Sequence, residues 1–323
     1  MNLNERFDAL DDNLKLDPAV RHKAETVHNE LGDLLVKAGV AKRTRLQGSF
    51  ARHTLRGPEL HDIDKVVELV DSLRDILTSA GGPQKAMTII RDALAPHLPG
   101  AGFDLKKHAL AITLPGDGFN FDAVPAFNPE DGTGWIVIAD TDDDAWEPSN
   151  TYILIDTIAA RNQACAGRFV RQVRMVKQAV HHAGLSEVLP GLHVETFAYQ
   201  AITTTTGHAD AVTATLVMGA QLLGGTYTDP TGVDRISDRL DPADVVTART
   251  GMQRLAGLAT EAQRLGAAGD QTAAAHIWAD IFGEPFPRPG ADEKRFLNGL
   301  YTGPGFGAAA AHRTPTTRAW RPV

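Results

Sequence analysis

With 323 residues, 43% of them hydrophobic and 22% charged, the chain has the composition of an ordinary globular protein and enough length for one large or two medium domains. Its net charge of −8 argues against a general duplex-binding surface, which would be basic, although it leaves room for a local basic groove. The single cysteine, Cys165, excludes an intrachain disulfide and a cysteine-rich zinc site; with no signal-peptide pattern in residues 1–30 and no run of about 18 apolar residues, the expected location is cytoplasmic, with no membrane partner.

Asp17-Pro18 is an N-cap followed by proline at the first helical position, and Val20, Ala24, Val27, Leu31, Leu34 and Leu35 continue an amphipathic helix to Gly39. A short strand, Thr44 to Leu46, leads into the Gly48-Ser49 turn, and a helix is expected to begin at Ser49 or Phe50. Asp62 to Val70 reads as a β-branched strand. After the break at Gly81-Gly82-Pro83, residues 84–95 read as a helix. Phe103 to Leu114 and Phe119 to Phe127 are predicted as a hairpin joined by Pro115-Gly116-Asp117-Gly118. Pro129 to Asp144, with its acid run Asp140, Asp142, Asp143 and Asp144, reads as a solvated loop. From Thr151 onward helices dominate: 151–184, 193–206, 208–223, 242–268 and 270–282. The fold class is therefore α+β. A mixed-sheet lobe over 1–147, with an N-terminal helix spanning both lobes, precedes a helical lobe over 148–290 and a flexible tail over 291–323.

Chemistry concentrates in Gln47-Gly48-Ser49-Phe50-Ala51-Arg52-His53-Thr54 and in Asp62-Ile63-Asp64. Side chains alternate along a strand, so Asp62 and Asp64 point to one face. Two carboxylates held together repel, and a divalent cation relieves that repulsion; hard oxygen ligands suit Mg²⁺ or Mn²⁺. Asp122 lies in the otherwise apolar Phe121-Asp122-Ala123-Val124-Pro125-Ala126-Phe127, where an aspartate is costly unless paired or metal-bound. Three aspartates on adjacent strands make a two-ion site, one ion on a nucleotide's phosphates and the other activating a hydroxyl. Gln47, Gly48 and Ser49 form the phosphate cradle: glycine admits a close backbone, the turn and the following helix start supply N–H donors, and Ser49 adds a hydroxyl.

Gly48-Ser49, Asp62-x-Asp64 and Asp122 together are similar to the signature of the polymerase-β-like nucleotidyltransferase superfamily. In the second lobe the order of Trp146-Glu147-Pro148-Ser149-Asn150, Gly167-Arg168-Phe169, Arg174-x-x-Lys177, His193-Val194-Glu195-Thr196, Asp229-Pro230-Thr231-Gly232 and Phe282-Gly283-Glu284-Pro285 resembles the bacterial CD-NTases. These are SMODS-type, cyclic-GMP-AMP-synthase-like enzymes of anti-phage signalling. The resemblance covers residues 10–290. It implies two lobes with the active site in the cleft, NTP substrates, two Mg²⁺ or Mn²⁺ ions and a cyclic oligonucleotide product. It also implies regulatory or effector protein partners from the same defence system, and it gives Lys177 a contact with the triphosphate. Arg174 serves either a phosphate or a structural salt bridge, Glu195 falls in the nucleotide-binding set, and Tyr227 is a candidate to stack on a base. The family often has glycine where His53 stands.

Two competing functions use the same residues. One is nucleotidyl transfer to RNA or protein, which the acidic charge and the lack of a basic nucleic-acid domain disfavour. The other is an inactive nucleotide-binding scaffold, which would have lost a carboxylate. Glu68 and Asp71 read as surface acids, His181-His182 as a helix end, Trp146 and Trp278 as packing, and Cys165 as a small buried hydrophobe.

Overall fold

The computed structural model describes residues 1–290; the tail expected over 291–323 lies outside them. The described chain gathers into two compact units. Among the described residues one comprises Lys15–Gln163 with Pro230–Val233, and the other Met1–Leu14, Ala164–Asp229 and residues 234–290.

The chain opens with α1 (Leu3–Asn13), ahead of the helix that the Asp17-Pro18 cap predicts. A capping box starts it: Glu5 N–H donates to Asn2 Oδ1 and Asn2 N–H donates to Glu5 Oε2, both at 2.9 Å. Phe7, Leu10 and Leu14, at helical spacing, are buried in the helical unit. The Asp17-Pro18 cap then begins a new helix, α2 (Pro18–Lys37), in the sheet unit. Helix α1 belongs to the helical unit and α2 to the sheet unit.

The sheet unit continues with β1 (Ala41–Leu46), the one-turn α3 (Gly48–Ala51), β2 (Asp62–Leu69), the one-turn α4 (Arg74–Leu77) and α5 (Gly82–Leu94). After these come β3 (Gly102–Leu105), β4 (Leu110–Thr113), β5 (Asn120–Phe127), β6 (Ile136–Asp140), β7 (Ala145–Ser149) and α6 (Thr151–Ala164). The strand order is β1-β2-β5-β4-β3, with β6 joining β5 to β7. Among the described residues only the β2–β5 pair is parallel. Ile63, Val67 and Leu69 of β2 and Phe121, Ala123 and Phe127 of β5 pack in one core with Ala24, Leu31 and Leu35 of α2 and Met87, Ile90 and Leu94 of α5. By alternation the opposite face carries Asp62, Asp64, Val66 and Glu68 on β2 and Asn120, Asp122 and Val124 on β5.

Several expectations need correction. The strand expected over 103–114 is two strands folded about a tight turn in which Lys106 N–H donates to the Ala109 carbonyl at 2.8 Å. The expected solvated loop over 129–144 contains β6, and Asp140 at its end is fully buried because Lys107 Nζ lies 2.9 Å from its Oδ2. Glu68 is no surface acid: it is fully buried and accepts from Tyr152 Oη (2.7 Å), Arg43 Nε (2.9 Å) and Asn128 Nδ2 (3.1 Å). Tyr152 also explains why the chain changes unit at 163 rather than near 147: it packs against Val66, Val124, Ala126 and Ile138 and keeps α6 with the sheet.

The helical unit adds α7 (Phe169–His182), α8 (Gly191–Ala201), α9 (His208–Leu222), α10 (Pro242–Ala267) and α11 (Gln271–Phe282). The helix expected over 151–184 breaks at Ala166-Gly167, where φ is +51° and +75°. Around Phe7 lie Trp278, Phe286 and Phe282, with ring centroids at 5.1, 5.4 and 5.8 Å.

Inside this core His193 is buried with Nδ1 2.8 Å from Tyr227 Oη, and desolvation together with the charge of Arg239 lowers its pKa to about 4. Between about pH 6.5 and 4 the unfolded chain binds the extra proton, so the folded state loses stability as pH falls, by up to about 3 kcal/mol from this group. His193→Gln is expected to flatten that part of the stability–pH curve, measured by urea denaturation at a series of pH values.

Candidate active site

Parallel pairing fixes the geometry of the site. The β2–β5 register sets Asp62 opposite Asn120 and Asp64 opposite Asp122, so the last two carboxylates stand on neighbouring strands at the same level. Asn120 Nδ2 lies 3.4 Å from Asp62 Oδ1. Ile63 and Phe121, fully buried on the other face, anchor both strands beneath the acids. Burial and the neighbouring Asp122 charge push the Asp64 carboxyl up to about 6, against the opposing pull of Arg52 and Lys106. Burial also raises Asp122, opposed chiefly by its hydrogen bond from Lys106.

The cradle lies directly on this site. Gln47 N–H donates to the Asp64 carbonyl at 2.9 Å, one step beyond the last β1–β2 register pair, Leu46 with Lys65. Gly48 follows at φ +67°, and a Cβ there would stand 1.8 Å from Asp64 Oδ2. Glycine is therefore required by the carboxylate itself, in addition to any ligand the backbone approaches. The Ser49 carbonyl closes the turn by accepting from Thr54 N–H (3.0 Å) and Leu55 N–H (3.1 Å). The expected helix is a single turn, so its macrodipole is small and the donors of the turn matter more. His53 is exposed at φ +58°, a left-handed conformation that glycine adopts without the Cβ clash.

Sequence reasoning missed Lys106 and Arg52. Lys106 Nζ lies 2.8 Å from each carboxylate oxygen of Asp122. It reaches Asp122 because the β3–β4 turn places it beside β5, and nothing in Lys106-Lys107-His108-Ala109 signals a turn. Arg52 is buried and its charge acts on Asp64.

The donor set fits divalent metal. Three carboxylates share one face, two are pushed above their ordinary range by burial, and an ammonium group already compensates Asp122. Asp62, Asp64 and Asp122 could hold hard cations such as Mg²⁺ or Mn²⁺.

The structure thus brings Asp62, Asp64, Asp122, Gln47, Gly48 and Ser49 together on the sheet unit. The other four candidates lie on the helical unit. Lys177 Nζ is 2.7 Å from Oε1 of the fully buried Glu195, and Arg174 Nη2 is 2.7 Å from Asp11 Oδ1. Glu195 therefore orients Lys177, and Arg174 pairs with Asp11. Tyr227 is buried, with Phe197 edge-on at 5.4 Å and His193 on its hydroxyl. Its ring belongs to the core, which corrects the base-stacking expectation.

Gly48→Ala is expected to lose about 2 kcal/mol or more, from left-handed strain and the clash with Asp64. His53→Gly is expected to gain up to about 1 kcal/mol, the relief of strain less the added entropy of glycine. Urea denaturation of the two variants beside the parent chain checks both.

Comparison with known proteins places this arrangement. The Second Messenger Oligonucleotide or Dinucleotide Synthetase (SMODS) domain matches residues 1–162. Among solved structures the chain is similar to the Bradyrhizobium diazoefficiens CD-NTase CdnG in complex with GTP (TM-score 0.70, 16% identity, covering 86% of this chain and 94% of that one). It is similar also to CdnC of Escherichia coli MS115-1 in complex with HORMA-deltaN (TM-score 0.68, 16% identity, 88% and 98% covered). A third likeness is to the Vibrio cholerae cyclic AMP-GMP synthase DncV with a linear intermediate (TM-score 0.60, 14% identity, 76% and 69% covered). No curated protein matches the chain. With the SMODS domain spanning half of its length and the CD-NTase fold extending across both units, the chain belongs to the SMODS nucleotidyltransferase family.

Proposed function

We propose that this protein joins NTPs into a cyclic di- or trinucleotide second messenger, acting in anti-phage signalling. The observation that carries the reading is the in-register pair Asp64 and Asp122 with Asp62 on the same face. A scaffold without catalysis has no need of three converging carboxylates, two of them held above their ordinary pKa range.

In this reading Asp62, Asp64 and Asp122 hold two Mg²⁺ or Mn²⁺ ions. Bound there, the ions supply Lewis-acid stabilisation of phosphoryl charge and lower the pKa of the attacking hydroxyl. The backbone of Gln47, Gly48 and Ser49, with the Ser49 hydroxyl, grips the donor triphosphate. For Lys177, held by Glu195, a phosphate contact remains the proposal. A hydroxyl of one nucleotide loses its proton to solvent as its oxygen bonds to the α-phosphorus of another, the bond to pyrophosphate breaks, and pyrophosphate leaves with its electron pair. Repetition within the linear product closes the ring. The relatives bear on ligands and partners: CdnG is described with GTP, DncV with a linear pppA(3′,5′)pG intermediate, and CdnC with a HORMA protein. NTP substrates and a regulatory or effector protein partner are the corresponding proposals here.

The test is incubation with four labelled NTPs and Mg²⁺ or Mn²⁺, phosphatase treatment, and mass identification of resistant products. Cyclic products are expected; label found only in linear oligomers or on RNA would remove the cyclase reading. Asp64→Asn is expected to lower turnover by about 100-fold or more while the chain stays folded. Since metal binding needs the carboxylate, apparent Mn²⁺ affinity should fall as pH drops through about 6, followed by Mn²⁺ titration.

A further inference from the structure

The β3–β4 turn that delivers Lys106 to Asp122 continues into Lys107 and His108, and these belong to a second cluster. His108 is buried, with Nδ1 2.8 Å from the Ala139 carbonyl oxygen. A carbonyl only accepts, so in the neutral ring Nδ1 carries the proton and Nε2 the lone pair; a second hydrogen bond of this kind is what orients a metal-binding histidine. Asp140 ends β6 and Glu147 lies on β7, where the antiparallel register pairs Asp140 with Ala145 and Ile138 with Glu147.

One ligand atom from each of His108, Asp140 and Glu147 falls within 4.8 Å of the other two. Asp140 Oδ1 is fixed by the backbone N–H groups of Asp142 (2.9 Å) and Asp143 (3.2 Å). Lys107 Nζ lies 2.9 Å from Asp140 Oδ2 and 3.7 Å from Asp143 Oδ2, beside the buried Asp140 and the half-buried Glu147. Glu147 Oε2 is shielded from solvent and has no hydrogen-bond donor among the described residues. A shielded carboxylate oxygen without a donor is costly, and a cation is what would satisfy it.

We propose that His108, Asp140 and Glu147 form a binding site for one divalent transition-metal ion of the zinc type, built from residues other than the aspartate triad. One imidazole nitrogen and two carboxylates suit zinc, whereas magnesium favours an all-oxygen octahedral shell. Three protein ligands leave a fourth position for water. The ion would tie the β3–β4 turn to the β6–β7 pair, and that turn carries the lysine that touches Asp122.

The test uses the full chain and an Asp62→Asn/Asp64→Asn variant that weakens the triad's own hold on metal. Both are stripped with chelator, dialysed against Zn²⁺, and assayed for bound metal by elemental mass spectrometry and for Tm. The triad variant is expected to retain one zinc per chain and to gain roughly 5 °C in Tm at about 100 times the Kd. Glu147→Gln in the same background keeps the shape, removes the charge, and should abolish both the bound zinc and the Tm shift. His108→Gln is the second variant should Glu147→Gln fail to fold. Absence of zinc from the triad variant would overturn the proposal in favour of a proton shared between Asp140 and Glu147, and zinc retained after these substitutions would overturn it in favour of a site elsewhere on the chain.

Discussion

The parallel pairing of β2 with β5 is the constraint on which the sheet unit depends. Two strands running the same way need a long crossover, and here the crossover supplies α5 and the β3–β4 hairpin. Helices α2 and α5 bury the far face, so Ile63 and Phe121 are locked in the core and the residues beside them must face the other way. Asp64 and Asp122 are therefore neighbours by register, not through side-chain flexibility. Their mutual repulsion is sustained by the apolar packing beneath them. Lys106 and Arg52 bring positive charge to the same place, which moderates the repulsion without cancelling it: Asp64 still titrates at about 6.

The acidic triad was legible because strand alternation is a local rule and a charged residue inside an apolar strand is conspicuous. Most helices were legible for the same kind of reason, through spacing and caps. What stayed hidden depends on partners distant in the chain. Glu68 is indistinguishable from a surface acid until Arg43, Asn128 and Tyr152 converge on it from three other segments. Asp140 looks solvated within an acid run until Lys107 covers it. The turn at Lys106–Ala109 contains no glycine, proline or asparagine, so the hairpin reads as one continuous strand and no motif ties its lysine to a site. Tyr227 failed in the opposite direction: an aromatic beside Asp229-Pro230 suggests a ligand, but the core of the helical unit covers it.

The helical unit places charge inside its packing too. Arg174 with Asp11 links α7 to α1, and Lys177 with Glu195 links α7 to α8. Buried ion pairs contribute little net stability because desolvation offsets the attraction, yet removing one partner strands the other. Their effect is to fix the rotation of α7 about its own axis. A lysine whose ammonium is already held by a buried carboxylate has few rotamers left to lose when an anion arrives.

Gly48 shows how tightly the two halves of the motif are bound to each other. Its missing side chain is demanded by Asp64 Oδ2 as well as by its own φ of +67°. Mutational tolerance at the two positions is consequently conditional. With aspartate at 64, any larger residue at 48 is excluded by collision; with a shorter residue at 64, only the backbone preference would remain. A lineage that shortened Asp64 would thereby release the glycine to drift, whereas one that first replaced the glycine would displace the acid as well. The two positions form an ordered pair in sequence space, in which the glycine can be lost after the carboxylate but not readily before it.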